Sequence, residues 1–168
     1  TKIFDISNQI TKTINVIKKN TAIKYLTIHS LGSLEMLKAA KNAASGSNLE
    51  FLAVSILTSW NEKDLEKIGI KNSIKDQVKI LITLAKEAGL SGVIASGQDI
   101  KIAREVSKEM KIFCPGIRGE GNKQDQKRTL SYKEFIEIAD DKCFAVIGRP
   151  IYEGNPLENI KKIIHSAK

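Results

Sequence analysis

Two turns in the second half of the chain contain an arginine and could bind a phosphate group. Pro115-Gly-Ile-Arg118 follows the apolar run Lys111-Ile-Phe-Cys114, and Gly148-Arg149-Pro150 follows the apolar run of residues 143–147. A guanidinium and the backbone N–H groups at the end of a strand are donors that bind phosphate in proteins. We interpret Arg118, Gly148 and Arg149 as candidate anion ligands. Gly-Arg-Pro taken alone is equally consistent with a strand-ending turn that carries a surface arginine.

The segment that begins with the first of these turns is long and polar. Residues 115–129, PGIRGEGNKQDQKRT, follow an apolar strand pattern and contain almost nothing to bury. Long connections without secondary structure are uncommon in compact domains and are usually functional or disordered. Glycines and charged side chains suit a loop that offers donors to an anion. We therefore predict that this segment contributes to binding a phosphorylated ligand.

Short apolar runs alternate with helix-like segments along the whole chain. Segments with a helical period of apolar residues fill the intervals, and two of them carry clear start signals. Ser131 and Glu134 have the spacing of a capping box, and Asn155 precedes a proline at a first helical position. The runs predict six strands, at residues 2–4, 25–28, 51–57, 92–95, 112–114 and 143–147.

Alternating strands and helices predict an α/β fold with a parallel sheet covered by helices. Two architectures compete, an open doubly wound sheet and a closed (β/α)8 TIM barrel. No glycine-rich nucleotide fingerprint follows an early strand, whereas polar loops follow the strands, where barrels carry their sites. We therefore expect residues 1–168 to form one barrel domain. Only about six βα units are represented, and six strands do not close an eight-stranded barrel.

Composition excludes several other classes of protein. The chain has 168 residues and a net charge of +8, but its lysines are dispersed and no basic patch with interleaved aromatics suggests a nucleic-acid partner. No apolar run reaches the length of a membrane span, and we expect no secretory signal. We expect a cytoplasmic protein with Cys114 and Cys143 reduced, because the fold places them at opposite ends of neighbouring strands.

Six motifs in one order resemble orotidine 5'-monophosphate decarboxylases over practically the whole chain. The resemblance implies a homodimeric (β/α)8 barrel that converts the small-molecule nucleotide orotidine monophosphate to uridine monophosphate, the last step of de novo pyrimidine biosynthesis. It implies no metal and no organic cofactor. The motifs are Thr27-Ile-His-Ser30, Ala53-Val-Ser-Ile-Leu-Thr-Ser59, Ala95-Ser-Gly-Gln98, Pro115-Gly-Ile-Arg118, Asp125-Gln-Lys-Arg128 and Val146-Ile-Gly-Arg-Pro150.

The same resemblance assigns roles to individual residues. Arg149 and the Gly148 amide are similar to phosphate ligands, and Gln126 to a loop residue that reaches the phosphate when the loop closes. Arg118 resembles a substrate-contacting arginine at the base of that loop, next to Pro115. Thr58, with Ser59 as the alternative, resembles the hydroxyl that reads the pyrimidine edge. His29 matches a family histidine, which we interpret as structural, and Trp60 as packing.

The family's third strand carries an Asp-x-Lys-x-x-Asp motif whose lysine protonates the new carbanion. Asp5-Ile-Ser-Asn-Gln9 resembles the end of this motif and the residues after it. The resemblance implies that Asp5 is catalytic and reaches across the dimer interface, with Ile6 and Asn8 in contact with substrate. We expect the motif's first aspartate and its lysine to be missing, together with the first two strands, and the natural polypeptide to be longer than these residues. Ser7 and Gln9 replace the usual proline and threonine.

Two other functions stay open at this stage. One is a related phosphate-binding barrel, such as a pentulose-phosphate epimerase or a hexulose-phosphate synthase. Those enzymes usually need a metal, and no His/carboxylate cluster stands at the predicted strand ends. The other is a non-catalytic fragment that binds nucleotide through the phosphate ligands but lacks the proton donor.

Overall fold

The computed structural model describes residues 2–119 and 127–167. All six predicted strands are present and form one parallel sheet. The strand ends differ from the prediction by a few residues: the third strand stops at Val54, and the fifth extends to Pro115. The strands of this sheet are β1 (Lys2–Ile3), β2 (Tyr25–His29), β3 (Glu50–Val54), β4 (Gly92–Ile94), β5 (Lys111–Pro115) and β8 (Cys143–Val146).

Helices occupy the intervals between these strands, as the periodicity predicts. The capping box is confirmed, because the Ser131 hydroxyl accepts from the Glu134 N–H at 3.2 Å and the Glu134 carboxylate accepts from the Ser131 N–H at 2.7 Å. Asn155 caps the last helix with its side chain alone, because its Oδ1 accepts from the Leu157 and Glu158 N–H groups at 3.1 and 3.3 Å. The helices are α1 (Ser7–Ile17), α2 (Leu34–Ala43), α3 (Glu62–Lys67), α4 (Ile74–Glu87), α5 (Ile100–Val106), α6 (Tyr132–Ile138), α7 (Arg149–Tyr152) and α8 (Pro156–Ser166).

The order of the strands decides between the two predicted architectures. The sheet runs β1-β2-β3-β4-β5-β8, so strands follow the sequence without a reversal. Because parallel crossovers are right-handed, a sequential order places every connecting helix on one face. A doubly wound sheet reverses its order and has helices on both faces. The chain therefore has the architecture of a (β/α) barrel wall.

Alternate strand residues pack against the helices and form the core. Ile3, Ile28, Ala53, Val93 and Ile112 are buried, and the register aligns them across the sheet from β1 to β5. Their neighbours in sequence point to the opposite, concave face. The helices thus cover one side of the sheet, and the other side is left to form a site.

The concave face differs between its two ends. At the amino end of the strands, Lys111 Nζ lies 2.7 Å from Glu50 Oε2 and 3.2 Å from the Tyr25 hydroxyl. Phe113 stacks on Phe144 beside this cluster, with ring centroids 4.8 Å apart. These contacts fill the amino end with side chains. The carboxyl end holds an open cavity instead.

The two outer strands, β1 and β8, are the least covered part of the sheet. Phe144 and Val146 of β8 are 39% and 44% exposed. Helix α8 has no buried residue, although its apolar residues have the predicted helical spacing. Exposed sheet edges and partly exposed apolar side chains are what the six-strand count predicts.

A second, two-stranded sheet was not predicted. It pairs β6 (Ile117–Arg118) with β7 (Leu130–Ser131), and the Leu130 N–H also donates to the Gly116 carbonyl at 3.3 Å. Residues 115–129 are therefore not irregular throughout, because Ile117 is buried and both ends of the segment are paired. The small sheet holds the two ends of the polar segment together.

Candidate active site

A cavity of about 470 Å³ opens on the concave face at the carboxyl ends of the strands. Its wall contains Thr58 and Pro115, two of the residues that the sequence predicts to contact substrate. The remaining wall is mostly apolar, with a few polar groups, as is usual for sites that bind small molecules. It is formed by Lys2, Thr27, Val54, Ile56, Leu57, Ser59, Ile94, Ala95 and Val146.

Thr58 follows β3 and is held in place through its backbone. Only 6% of the residue is exposed, and its carbonyl accepts from the Lys127 N–H at 3.0 Å and from the Arg128 N–H at 3.1 Å. Ser59 lines the same cavity, so both predicted pyrimidine readers stand at the site. Trp60, the next residue, packs against the hydrophobic core as expected.

Lys2 also lines this cavity, and the sequence analysis missed it. The family motif is Asp-x-Lys-x-x-Asp, so a lysine belongs three residues before the second aspartate. Asp5 resembles that aspartate, and Lys2 stands three residues before it. The expectation that the motif's lysine is missing is therefore wrong. Lys2 pairs in register with Thr27. Its side chain points away from that of the buried Ile3 and therefore reaches the concave face.

Asp5, Ile6 and Asn8 line a second cavity, of about 670 Å³, next to β1. All three are exposed, and the Asp5 carboxylate accepts from the Ile6 N–H at 2.8 Å. Gly32, Ser33 and Met36 form the opposite wall of this second cavity. The chain thus separates Asp5 from the cavity that contains Lys2, although both residues belong to one motif.

His29 stands at the end of β2 between the two cavities. Its Nδ1 accepts from the Leu31 N–H at 3.4 Å, and its ring meets the Phe4 ring edge-on at 6.0 Å. Burial lowers the pKa of His29, and the positive charge of Lys2 lowers it further. The imidazole is therefore neutral near pH 7, and its Nδ1 bond and its contact with Phe4 are typical of a structural histidine.

The predicted phosphate ligands lie beyond the last two strands of the sheet. Pro115 and Val146 are paired in register, so Arg118 and Gly148 follow from neighbouring strand ends. Arg118 is only 9% exposed, and its Nε is buried without a partner among residues 2–119 and 127–167. Gly148 is exposed and Arg149 is half-buried at the start of α7. Gln126 lies outside the described residues.

In the described ranges, no three His, Cys, Asp or Glu residues are grouped closely enough to hold a metal ion. No helix among those residues has the length and apolar character needed to cross a bilayer.

A sequential parallel sheet with a cavity at its carboxyl ends defines the class of β/α barrels, which carry their sites at that end. Comparison with known proteins identifies the family within this class. The model of the "Orotidine 5'-phosphate decarboxylase / HUMPS family" matches residues 1–163. The chain belongs to this family, in agreement with the resemblance read from its motifs.

Individual relatives agree over nearly the whole chain. The orotidine 5'-phosphate decarboxylase of Wolbachia pipientis subsp. Culex pipiens is 38% identical over 98% of this chain and 73% of its own length. The enzyme of the same name from Ehrlichia chaffeensis is 36% identical over 98% of this chain and 71% of its own length. The crystal structure of orotidine 5'-phosphate decarboxylase from Lactobacillus acidophilus superimposes with a TM-score of 0.78 at 26% identity, over 99% of this chain and 73% of that one.

Proposed function

We propose that this chain binds orotidine 5'-monophosphate across the carboxyl ends of its strands and converts it to uridine 5'-monophosphate and CO₂. The observation that carries the proposal is the cavity in which Lys2 and Thr58 meet, in a chain whose relatives are named orotidine 5'-phosphate decarboxylases. In this reaction the bond between a ring carbon and the carboxylate breaks. Its electron pair stays on the ring carbon, and a proton then replaces the carboxylate.

Lys2 is the proposed proton donor. Loss of CO₂ leaves a carbanion that the ring barely stabilises, so a fixed ammonium group beside it lowers the barrier. The same ammonium then transfers its proton to the ring carbon, which is general acid catalysis. The position of Lys2 on the cavity wall, opposite the apolar strand ends, supports this role.

Asp5 is proposed to act in the site of a second copy of the chain. It lines a separate cavity next to Phe4 and Ile6, which are 63% and 69% exposed. Two large exposed apolar side chains beside a carboxylate suit a subunit interface, where they would be covered. In a homodimer, Asp5 would oppose the charge of the departing carboxylate, and Ile6 and Asn8 would border the same substrate.

The phosphate of the nucleotide is proposed to bind at Gly148, Arg149 and Arg118. A dianion favours guanidinium groups and backbone N–H donors, and these residues supply both after adjacent strand ends. The phosphate takes no part in bond breaking, so its binding energy serves to orient the ring. Thr58 would then read the pyrimidine edge from the wall of the cavity, with Ser59 as the alternative, and Pro115 would border the ring.

The proposal also includes a cytoplasmic location. Both cysteines are free, and free cysteines are typical of proteins in reducing compartments.

Turnover by the purified chain tests the function. Orotidine monophosphate should lose its ultraviolet absorbance on incubation with the protein, and uridine monophosphate should accumulate in equal amount. The rate should be unchanged by a chelator, which separates this reaction from metal-dependent barrels. Tight binding of the nucleotide without turnover would support the non-catalytic alternative, and absence of both binding and turnover would overturn the proposal.

A further inference from the structure

A four-residue turn after β4 holds the chain segment that leads into β7. The turn is Ser96–Asp99, and we call it the cradle. The Ser96 hydroxyl donates to the Arg128 carbonyl at 3.3 Å, and Gln98 Nε2 donates to the Thr129 carbonyl at 3.2 Å. At Gly97, an added Cβ would lie 2.6 Å from Leu130 Cδ1. The segment therefore packs directly against the cradle, which contacts it at Ser96, Gly97 and Gln98.

The strongest of these contacts is a buried ion pair. Arg128 Nη2 lies 2.5 Å from Asp99 Oδ2, and the two side chains are only 8% and 5% exposed. Burial raises the pKa of Asp99 and lowers that of Arg128, and each partner's charge opposes this shift. Arg128 Nε and Nη1 are buried without a hydrogen-bond partner in the described part of the chain.

A pair of this kind contributes little to stability. Removing two charges from water costs about as much as their attraction returns, and apolar residues of similar size often stabilise a fold equally well. Two unpaired guanidinium donors add to that cost. The benefit of this pair must therefore come from the geometry that it fixes.

The geometry that it fixes is that of Thr58. The N–H groups of Lys127 and Arg128 both donate to the Thr58 carbonyl, at 3.0 and 3.1 Å. The side chain of Arg128 is held by Asp99, so the cradle, the segment and the Thr58 backbone form one connected unit. The Thr58 hydroxyl depends on this backbone for its position at the cavity wall.

We propose that Asp99 and Arg128 are positioning residues for the pyrimidine-reading hydroxyl of Thr58. The proposal rests on the proposed function, because it assumes that a pyrimidine nucleotide occupies the cavity. Neither residue lines this cavity, and the Thr58 carbonyl is the group through which the Arg128 backbone contacts its wall. Loss of the pair should therefore weaken recognition of the base more than recognition of the phosphate.

The test compares two ligands, uridine 5'-monophosphate and ribose 5-phosphate, which lacks the base. Asp99→Asn should lower the affinity for uridine monophosphate about five- to tenfold, the equivalent of one hydrogen bond. The affinity for ribose 5-phosphate should change less than twofold. Asp140→Asn is the matched control, because it removes the carboxylate of another Arg–Asp pair, with Arg104, away from Thr58. It should alter neither affinity.

A double-mutant cycle shows whether the effect passes through Thr58. Adding Asp99→Asn to Thr58→Ala should cause no further loss of uridine monophosphate affinity, because the hydroxyl that Asp99 positions is already gone. If Asp99→Asn does not fold, Ser96→Ala replaces it in the cycle and should give a smaller loss in the same direction.

Equal losses for both ligands, or additive losses in the cycle, would overturn the positioning role. So would a lower melting temperature with both affinities unchanged, which would reduce the pair to a structural contact. Failure of the wild-type chain to bind uridine monophosphate is a different result, since it would overturn the proposed function itself.

Discussion

The centre of the sheet and its two edges differ in burial and in the proposed roles of their residues. Strands β2 to β5 are covered by helices, and the Thr58 carbonyl, in the loop after β3, accepts from the N–H groups of Lys127 and Arg128. The outer strands β1 and β8 are short or exposed, yet Lys2 and Asp5 belong to one edge and Gly148 and Arg149 to the other. The proposed chemistry thus lies at the least covered parts of the sheet, and the buried centre supports them.

The largest expected effect is at the β1 edge. Lys2→Ala should lower kcat for orotidine monophosphate about 10³-fold, because it removes the proposed proton donor and the charge beside the carbanion. Lys12→Ala, an equal change of charge on the exposed side of α1, is the control and should keep the full rate. An active Lys2→Ala variant would show that the β1 edge does not supply the proton donor. The assay is the loss of substrate absorbance.

Two isoleucines, one buried and one exposed, test whether the centre of the sheet contributes more stability than its edge. Ile82 is fully buried under the sheet, whereas Ile164 of α8 is 56% exposed. Ile82→Ala should lower the free energy of unfolding by about 3 kcal/mol through lost burial and a cavity, and Ile164→Ala by about 0.5 kcal/mol or less. Urea unfolding measures both values. Similar losses would mean that α8 is covered in solution and that the two regions do not differ.

The β8 edge should respond in binding as well as in rate. Arg149→Ala should lower kcat/KM about 10²-fold, because one guanidinium contact to the phosphate is lost. Lys162→Ala on α8 removes one positive charge elsewhere and should leave kcat/KM unchanged. Full activity of Arg149→Ala would show that the phosphate does not bind at the β8 edge.

The smallest effect concerns the ion pair before β8. Arg104 holds the pKa of Asp140 well below the ordinary aspartate value of 3.8, and the pair is partly exposed. A depressed folded-state pKa contributes stability above the unfolded value, and that contribution is lost as the pH falls. Asp140→Asn should therefore destabilise the chain by less than about 1 kcal/mol at pH 7, and the difference should shrink as the pH falls from 3.8 through the depressed pKa of Asp140. A stability difference that persists in acid would show that it arises from packing and not from the charge of Asp140.

The sequence predicts the regular parts of this molecule well, because burial leaves a periodic pattern. The six strands, the capping box at Ser131 and the choice of a barrel all follow from spacing and from turn chemistry. The small sheet of β6 and β7 is not predictable in this way. Each of its strands has two residues, and its pairing depends on contacts between distant segments.

The sequence predicts only some of the residues of the site. Thr58 and Pro115 were found from motifs, and both line the cavity. Lys2 is recognisable by counting back three residues from Asp5, although it also belongs to the run Lys2-Ile-Phe4, which has the pattern of a strand. The pair of Asp99 and Arg128 leaves no local signal, because its partners lie 29 residues apart. Only the fold brings them together.

The most direct test of the account is a crystal structure of the chain with uridine 5'-monophosphate. The account predicts the pyrimidine beside Thr58 in the concave cavity, Lys2 near the ring, and the phosphate between Gly148 and Arg149. A nucleotide seated in any other place, with this cavity empty, would contradict it.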